Sequence, residues 1–413
     1  MTDTPVSVIV VSRHRTELLL RCIAALHLQD HPQMEVVVVA DPAAARAVEE
    51  LGLPLKLSRF DEANIAAARN AGLVLAAGDV VAFIDDDAVP EPTWLRLLTA
   101  PFADRAVEQA GGFVRGRNGI SWQWRAMEVD SDGQDHPLEV PEEASLHRGS
   151  AQRAIKTQGT NCAFRRSALL AVGGFDPAFH FFLDEADVNL RLAEHGGLTA
   201  VVPSAIVQHG FAASERRRAD RAPLDLHEIG ASATVFARRH APQGIEPALD
   251  RLRRGQRSRL IRLMISGAIE PRDAGRLSLS LEAGIVDGLA RPLPPLPPLQ
   301  ALPAPFCQMP GTGPRHAVLL SGWIWNHRRL VQDAEHHARE GSIVSVIEFT
   351  PGLLRHCERF AGGMWWQLGG ILGRSDRESP VLADRDPRNR LAREAKRFRF
   401  VRGLGKSLSQ KPR

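Results

Sequence analysis

Residues Val80–Asp87 read Val-Val-Ala-Phe-Ile-Asp-Asp-Asp, and Ala88-Val89-Pro90 follows. Five apolar side chains in succession run straight into three carboxylates. An apolar run this short, preceded by Gly78-Asp79 and closed by Pro90, predicts a strand buried on both faces. A strand with no solvated face belongs in the middle of a sheet that is covered by helices on either side. Its acidic end then lies at the carboxyl edge of that sheet, where open α/β folds bind ligands. Three adjacent carboxylates repel one another and call for compensation. A divalent metal carrying a phosphorylated ligand supplies it; a solvated acidic turn is the plain alternative.

The flanking chain has the alternation that such a sheet needs. Val6–Val11 is an apolar run broken only by Ser7, with Ser12-Arg13-His14-Arg15 as its loop, and Leu18, Leu19, Cys22, Ile23 and Leu26 then fall at helical spacing. Glu35–Ala40 predicts a second strand ending in Asp41-Pro42. A helix through Ala43–Leu51, a short strand near Leu55–Leu57 and an Ala-rich helix over Asn64–Ala77 come next. The pattern predicts an α/β fold with a mainly parallel sheet of the kind that binds nucleotides. The first turn contains no glycine, so the dinucleotide fingerprint is absent. Nucleotide contacts must then come from polar groups at the strand ends: Asp41, Arg69 and the triplet. Taken alone, Asp41 also reads as a turn residue and Arg69 as a surface arginine.

Together, Val6–Ser12, Glu35–Asp41, Ala68-Arg69-Asn70-Ala71-Gly72 and Ile84-Asp85-Asp86-Asp87 resemble the family 2 glycosyltransferases of the GT-A fold. Gly159-Thr160-Asn161-Cys162-Ala163-Phe164-Arg165-Arg166, Gly173-Gly174-Phe175-Asp176 and the acidic helix around Asp184-Glu185-Ala186-Asp187 extend the likeness in the same order. The resemblance implies that Asp41 contacts the nucleobase, that Arg69 lies near the nucleotide, and that Asp85 and Asp87 hold Mn2+ or Mg2+ against the diphosphate. It also implies a general base in the acidic pair, Glu185 by position, with Asp184 as the alternative because the usual Glu-Asp order is inverted. His209, in Val207-Gln208-His209-Gly210, is placed near the metal. Ser12 and Arg13 in the first loop, Asp86 in the triplet and Asp187 in the acidic helix complete the implied donor-binding set. On a helix, Asp184, Asp187 and Arg191 share one face, and an acidic first turn also suits the helix dipole without any catalytic role.

The expected activity is an inverting, metal-assisted transfer of a sugar from a nucleotide-diphosphate donor to a hydroxyl of a glycan or lipid-linked acceptor, such as a growing cell-surface polysaccharide. A catalytically silent sugar-nucleotide-binding or scaffold protein and a nucleotidyltransferase are the alternatives. The expected organisation is a GT-A-like domain over 1–215, a helical extension over 216–290, a Pro-rich linker over 291–314, a small α/β domain over 315–384 and a basic tail over 385–413. Arg115–Gln158 lacks periodicity and reads as a loop region covering the acceptor side, with Trp122 and Trp124 either stacking on a sugar or lying in the core. Leu198–Val202 reads as a short strand that Pro203 ends. Trp365-Trp366 and Phe360 form an aromatic patch suited to a sugar or to another domain.

The four cysteines form no CxxC, which argues against a zinc knuckle or a disulfide framework. No basic leader precedes an apolar core, and no apolar run approaches the roughly 18 residues of a membrane span. The expected location is cytoplasmic. The tail over 385–413 carries eleven Lys or Arg against two Asp or Glu, a surplus above the +4 of the whole chain. It reads as solvated, or as a peripheral contact with anionic lipid at the inner face of the membrane. No nucleic-acid-binding module accompanies it.

Overall fold

The structure is a computed structural model that describes residues 4–377 and 386–404. Its first strands, β1 (Val6–Ser12), β2 (Met34–Ala40), β3 (Lys56–Arg59) and β4 (Val80–Asp85), pair in parallel. The crossovers are α1 (Thr16–Leu26), α2 (Pro42–Glu49) and α3 (Ile65–Leu75). Strand alternation sorts the side chains. Val8, Val10, Ala82 and Ile84 pack on one face with Leu19, Ile23 and Ala44, while Ile9, Val37, Val81 and Phe83 pack on the other with Ala66 and Leu73. Both faces of β4 are therefore dry, as its composition predicts.

After β4 come β5 (Ala88–Pro90), α4 (Trp94–Thr99), β6 (Val107–Arg115), β7 (Trp122–Trp124), β8 (Met127–Asp130), β9 (Asp135–Pro137), β10 (Ser145–Arg148), β11 (Arg153–Lys156), β12 (Cys162–Arg165), α5 (Arg166–Ala171), α6 (Asp184–Glu194) and β13 (Leu198–His209). The main sheet has the order β10-β13-β6-β12-β4-β1-β2-β3, with β12 antiparallel to both β4 and β6. This is the expected mixed α/β class with a mainly parallel sheet.

Two local expectations change. The stretch after β6 is not an irregular loop: β7 joins the main sheet, and β8, β9 and β11 form a small sheet of their own. These strands are short and partly joined by polar pairs, Arg153–Glu128 and Lys156–Asp135, both at 2.7 Å, so little apolar period marks them in the sequence. Pro203 does not end β13 either. The strand continues to His209 through a register shift between Val202 and Ile206, where a residue without an N–H is tolerated. Asn161 fills the irregularity by donating to the carbonyls of Phe113 and Ala205, each at 2.9 Å. A Cβ on Gly112 would stand 2.0 Å from the Ala205 oxygen, so only glycine fits there. The bend brings His209 into register with Ala88 of β5, beside the acidic end of β4.

Three helices follow, α7 (His227–His240), α8 (Ile245–Ile265) and α9 (Pro271–Ala290). The Pro-rich segment is extended and lies along the first unit, where the N–H groups of Leu299, Leu302 and Met309 donate to the carbonyls of Leu170, Val74 and Met34 at 2.7–2.9 Å. A second sheet is built from β14 (Ala317–Trp323), β15 (Ile343–Thr350), β16 (Cys357–Ala361) and β17 (Met364–Gly370) in the order β14-β15-β17-β16, with α10 (His327–Arg339) as its crossover. Trp365 and Phe360 pack against Ala25 and Val89, so this part of the aromatic patch is a join to the first unit.

The described part of the basic tail is folded, with Arg388, Arg393, Lys396 and Phe400 left exposed. It forms α11 (Pro387–Lys396) and a turn through Leu404, and Phe398 and Val401 pack with Ile206, Ile347 and Phe349. The fully buried Arg402 binds Glu91 at 2.7 Å and Glu358 at 2.7 Å. These carboxylates lie far away in the sequence, so a local charge count could not reveal them. Lys406, Lys411 and Arg413 lie outside the described residues. Among the described residues, no helix is long and apolar enough to cross a membrane.

Candidate active site

Asp85 ends β4, and Asp86 and Asp87 form the turn that follows it. Asp85 and Asp87 both face His209, whereas Asp86 faces Ser12 and Arg15. Nε2 of His209 lies 3.2 Å from Asp87 and 3.7 Å from Asp85. The ligand atoms of Asp85, Asp87 and His209 all fall within 4.8 Å of one another. Burial works to raise the pKa of Asp87, but His209, Arg15 and the N–H of Ala212 outweigh it and hold the carboxyl well below the usual range. Asp86 is fully buried behind this cluster, where it accepts from Ser12 Oγ at 2.8 Å and pairs with Arg15 at 2.6 Å. Burial pushes Asp86 up to about 7, against the pull of Arg15 and with the Asp87 charge adding to the rise.

A second group adjoins the first. Arg69 of α3 pairs with Asp184 at the start of α6 and lies 3.6 Å from Asp85. Its guanidinium stacks over Phe175 at 5.2 Å and Phe83 at 6.0 Å. Burial lowers the Arg69 pKa, but Asp184, Asp85 and Glu185 outweigh it, so the guanidinium stays charged. Burial pushes the carboxyl of Asp184 up; Arg69 opposes this and Glu185 adds to it. Glu185, next along the helix, is partly exposed.

Asp41 follows β2, is buried, and caps α2 by accepting from Ala43 and Ala44; its other oxygen accepts from the N–H of His14 at 2.8 Å. Burial would raise its pKa, but these N–H donors lower it. Arg13 points to Asp61 at 2.9 Å on the loop surface. Asp187 has different partners, Arg191 at 2.6 Å and His240 at 2.9 Å, and these outweigh burial to hold it down at about 2. The structure thus brings together Asp85, Asp87, His209, Arg69 and Asp184, with Glu185 alongside. Ser12 and Asp86 stand behind them, Asp41 shapes the neighbouring loop, and Asp187 is engaged elsewhere.

Other side chains contribute beside the implied set. Arg15 reaches both Asp86 and Asp87, and Arg217 lies 3.9 Å over the Phe211 ring while acting electrostatically on Asp87. Trp124 stacks on His209 at 5.5 Å, and Gln123 Nε2 lies 3.2 Å from His209 Nδ1. His14, Leu183 and Phe211 border this region with φ of +58°, +66° and +52°. Such left-handed residues cost roughly 1 kcal/mol each and gather where function demands them.

The donor set fits a divalent cation. Two carboxylates and an imidazole suit Mn2+ or Mg2+. Gln123 Oε1 is buried without a partner. A half-turn of the amide would let that oxygen accept from Nδ1–H and leave the Nε2 lone pair facing Asp85 and Asp87, the tautomer that a metal ligand requires.

Residues 4–221 match the model of the family described as glycosyltransferase like family 2. The chain belongs to this family. Over 180 residues it is 32% identical to the pre-mycofactocin glycosyltransferase of Mycobacterium tuberculosis (strain CDC 1551 / Oshkosh), which covers 42% of this chain and 35% of that protein. Over 216 residues it is 30% identical to the glucosyl-dolichyl phosphate glucuronosyltransferase of Haloferax volcanii, covering 46% of this chain and 64% of that protein. The chain thus spans less than two thirds of each of these relatives. Among solved structures it is similar to the mannosyltransferase PcManGT from Pyrobaculum calidifontis in complex with GDP-Man and Mn2+, at TM-score 0.43 and 18% identity over 69% of this chain and 87% of that one. It is also similar to GalNAc-T7 with UDP, GalNAc and Mn2+, at TM-score 0.44 and 16% identity over 57% and 48% of the two chains. The family 2 transferase unit includes every residue of the two acidic groups.

Proposed function

We propose that this family 2 chain is an inverting glycosyltransferase that moves a sugar from a nucleoside-diphosphate donor to a hydroxyl of a glycan or lipid-linked acceptor. The observation that carries the reading is the convergence of Asp85, Asp87 and His209 at the carboxyl end of a buried strand, joined through Arg69 to the acidic start of α6. Asp85, Asp87 and His209 would hold Mn2+ or Mg2+, which when bound would supply positive charge for the leaving diphosphate. Arg15 and Arg217 add fixed positive charge beside it. Asp41 defines the nucleobase side, and Ser12, Arg13 and Asp86 hold the first loop in place. Asp184 is locked against Arg69 and positions the first turn of α6. That leaves the partly exposed Glu185 to take the proton from the acceptor hydroxyl as it attacks the anomeric carbon. The name of the Haloferax relative includes a dolichyl phosphate, which supports the lipid-linked class of acceptor.

The test is a calorimetric titration with a panel of nucleoside diphosphates, with and without Mn2+, on the wild type and on Asp85→Ala/Asp87→Ala. Metal-dependent binding of one nucleotide, lost in the variant, is expected and names the donor base. If no diphosphate binds in a metal-dependent way, the centre is not a donor site and a silent scaffold explains the fold better. Release of pyrophosphate from a nucleoside triphosphate would instead identify a nucleotidyltransferase.

A further inference from the structure

Where the segment after β6 meets the second sheet there is a cavity of about 640 Å³. Arg117, Arg221, Arg355, Arg374 and Arg377 line it, and Asp376 is the only carboxylate among its described lining residues. Among the described residues, none of these arginines is held in an ion pair. Arg117 donates to the carbonyl of Ala219 at 2.7 Å, Arg374 donates to the carbonyl of Arg377, and Arg221 lies 4.7 Å over the Phe211 ring. Nε of Arg374 is buried without a partner. Arg221 holds φ at +73°, a conformation that L side chains rarely adopt. Burial, with the charges of Arg117 and Arg377 added, lowers its pKa. Like charges crowded around a recess on strained backbone are the arrangement of an anion site, because an anion relieves the repulsion.

The cavity adjoins the acidic centre. Gln123 lines its wall and also holds Nδ1 of His209 at 3.2 Å. The Phe211 ring carries both Arg221 and Arg217, and Arg217 acts on Asp87. Arg355, Arg374 and Arg377 lie beyond residues 4–221 of the family match, so the transferase unit and the C-terminal sheet build the cavity jointly. Its volume admits a phosphate together with a sugar ring. Guanidinium groups pair with phosphate oxygens through two parallel bonds, and here five of them line the recess against the single carboxylate of Asp376 among the described residues.

We propose that this cavity holds the phosphate of a phosphorylated acceptor beside the donor centre. The proposal rests on the transferase reading above and names the substrate class for it. The full-length protein is titrated with inorganic phosphate, glucose 1-phosphate and farnesyl phosphate, with and without saturating nucleoside diphosphate and Mn2+. Binding that persists with the donor site filled is expected. In Arg355→Ser/Arg377→Ser, which alters two exposed side chains, phosphate affinity falls about tenfold or more. Metal-dependent nucleotide binding and the melting temperature stay at wild-type values.

Preference for farnesyl phosphate assigns a lipid-linked phosphate, and preference for glucose 1-phosphate a soluble one; both support the site. Failure of every phosphate to bind the wild type, competition with the nucleoside diphosphate, or unchanged affinity in the double variant overturns the proposal. If no nucleoside diphosphate binds while the double variant still loses phosphate, the transferase reading fails and the acceptor assignment falls with it, although the anion site itself stands.

Discussion

Glu358→Gln should loosen the C-terminal segment far more than Arg402→Met, and the reason is a count of buried charge. At the join between the two units, the guanidiniums of Arg402, Arg397 and Arg115 meet the carboxylates of Glu358 and Glu91. Glu358 accepts from Arg402 at 2.7 Å, from Gln208 at 2.7 Å and from Arg397 at 3.3 Å. Removing its charge leaves three cations against one anion and puts an amide N–H among donors. Breaking a buried pair by removing one partner costs roughly 3–5 kcal/mol, and this case belongs at the upper end. Arg402→Met leaves two carboxylates against two guanidiniums, Glu91 with Arg115 and Glu358 with Arg397, and keeps an apolar side chain against Trp365 and Phe398. Its cost belongs at the lower end, about 3 kcal/mol. At 1.4 kcal/mol per factor of ten, local opening rises about a hundredfold in Arg402→Met and a thousandfold or more in Glu358→Gln. Native-state hydrogen exchange of the amides from Arg390 to Leu404, which bond within that segment, reads the difference directly. Exchange in Glu358→Gln no faster than in Arg402→Met would refute the charge count.

Three further outcomes are expected. Glu185→Gln should lower the transfer rate about a hundredfold or more while leaving metal-dependent nucleotide binding intact, as measured by calorimetry beside a product assay. Arg69→Met leaves Asp184 buried without its guanidinium and should cost about 3 kcal/mol of stability, read as a fall in denaturation midpoint; adding Asp184→Asn should recover part of that loss. Burial would raise Glu358, but Arg402 and Arg397 hold its carboxyl at about 2, below its ordinary value of 4.5. Its stabilising contribution is therefore present above pH 4.5 and is lost as pH falls toward 2, so exchange of the C-terminal segment should accelerate over that window and not between pH 5 and 8.

What could be read in advance follows the range of each signal. β1, β2 and β4 announce themselves because a short run rich in β-branched residues is a local pattern. The pairing of Asp85 and Asp87 is implied by the family resemblance, while the turn that aims both at His209 is visible only in the structure. β8, β9 and β11 escape because polar cross-strand pairs replace much of their apolar alternation. Pro203 misleads because a proline is compatible with a strand at a bulge, and a bulge is visible only once β6 and Asn161 are placed against it.

The sequence by itself determined the sheet, the burial of its central strand and the acidic edge at which chemistry is expected, because periodicity and composition act over a few residues. The tertiary structure alone decided which groups face one another. Arg69 meets Asp184 across 115 residues, His209 reaches Asp87 through the bend in β13, and Gln123 braces the imidazole from a strand with no distinguishing pattern. It also decided the fate of the basic tail, since Arg402 is neutralised by Glu91, 311 residues away. Coulombic partners carry no mark of each other along the chain, and only packing brings them within reach.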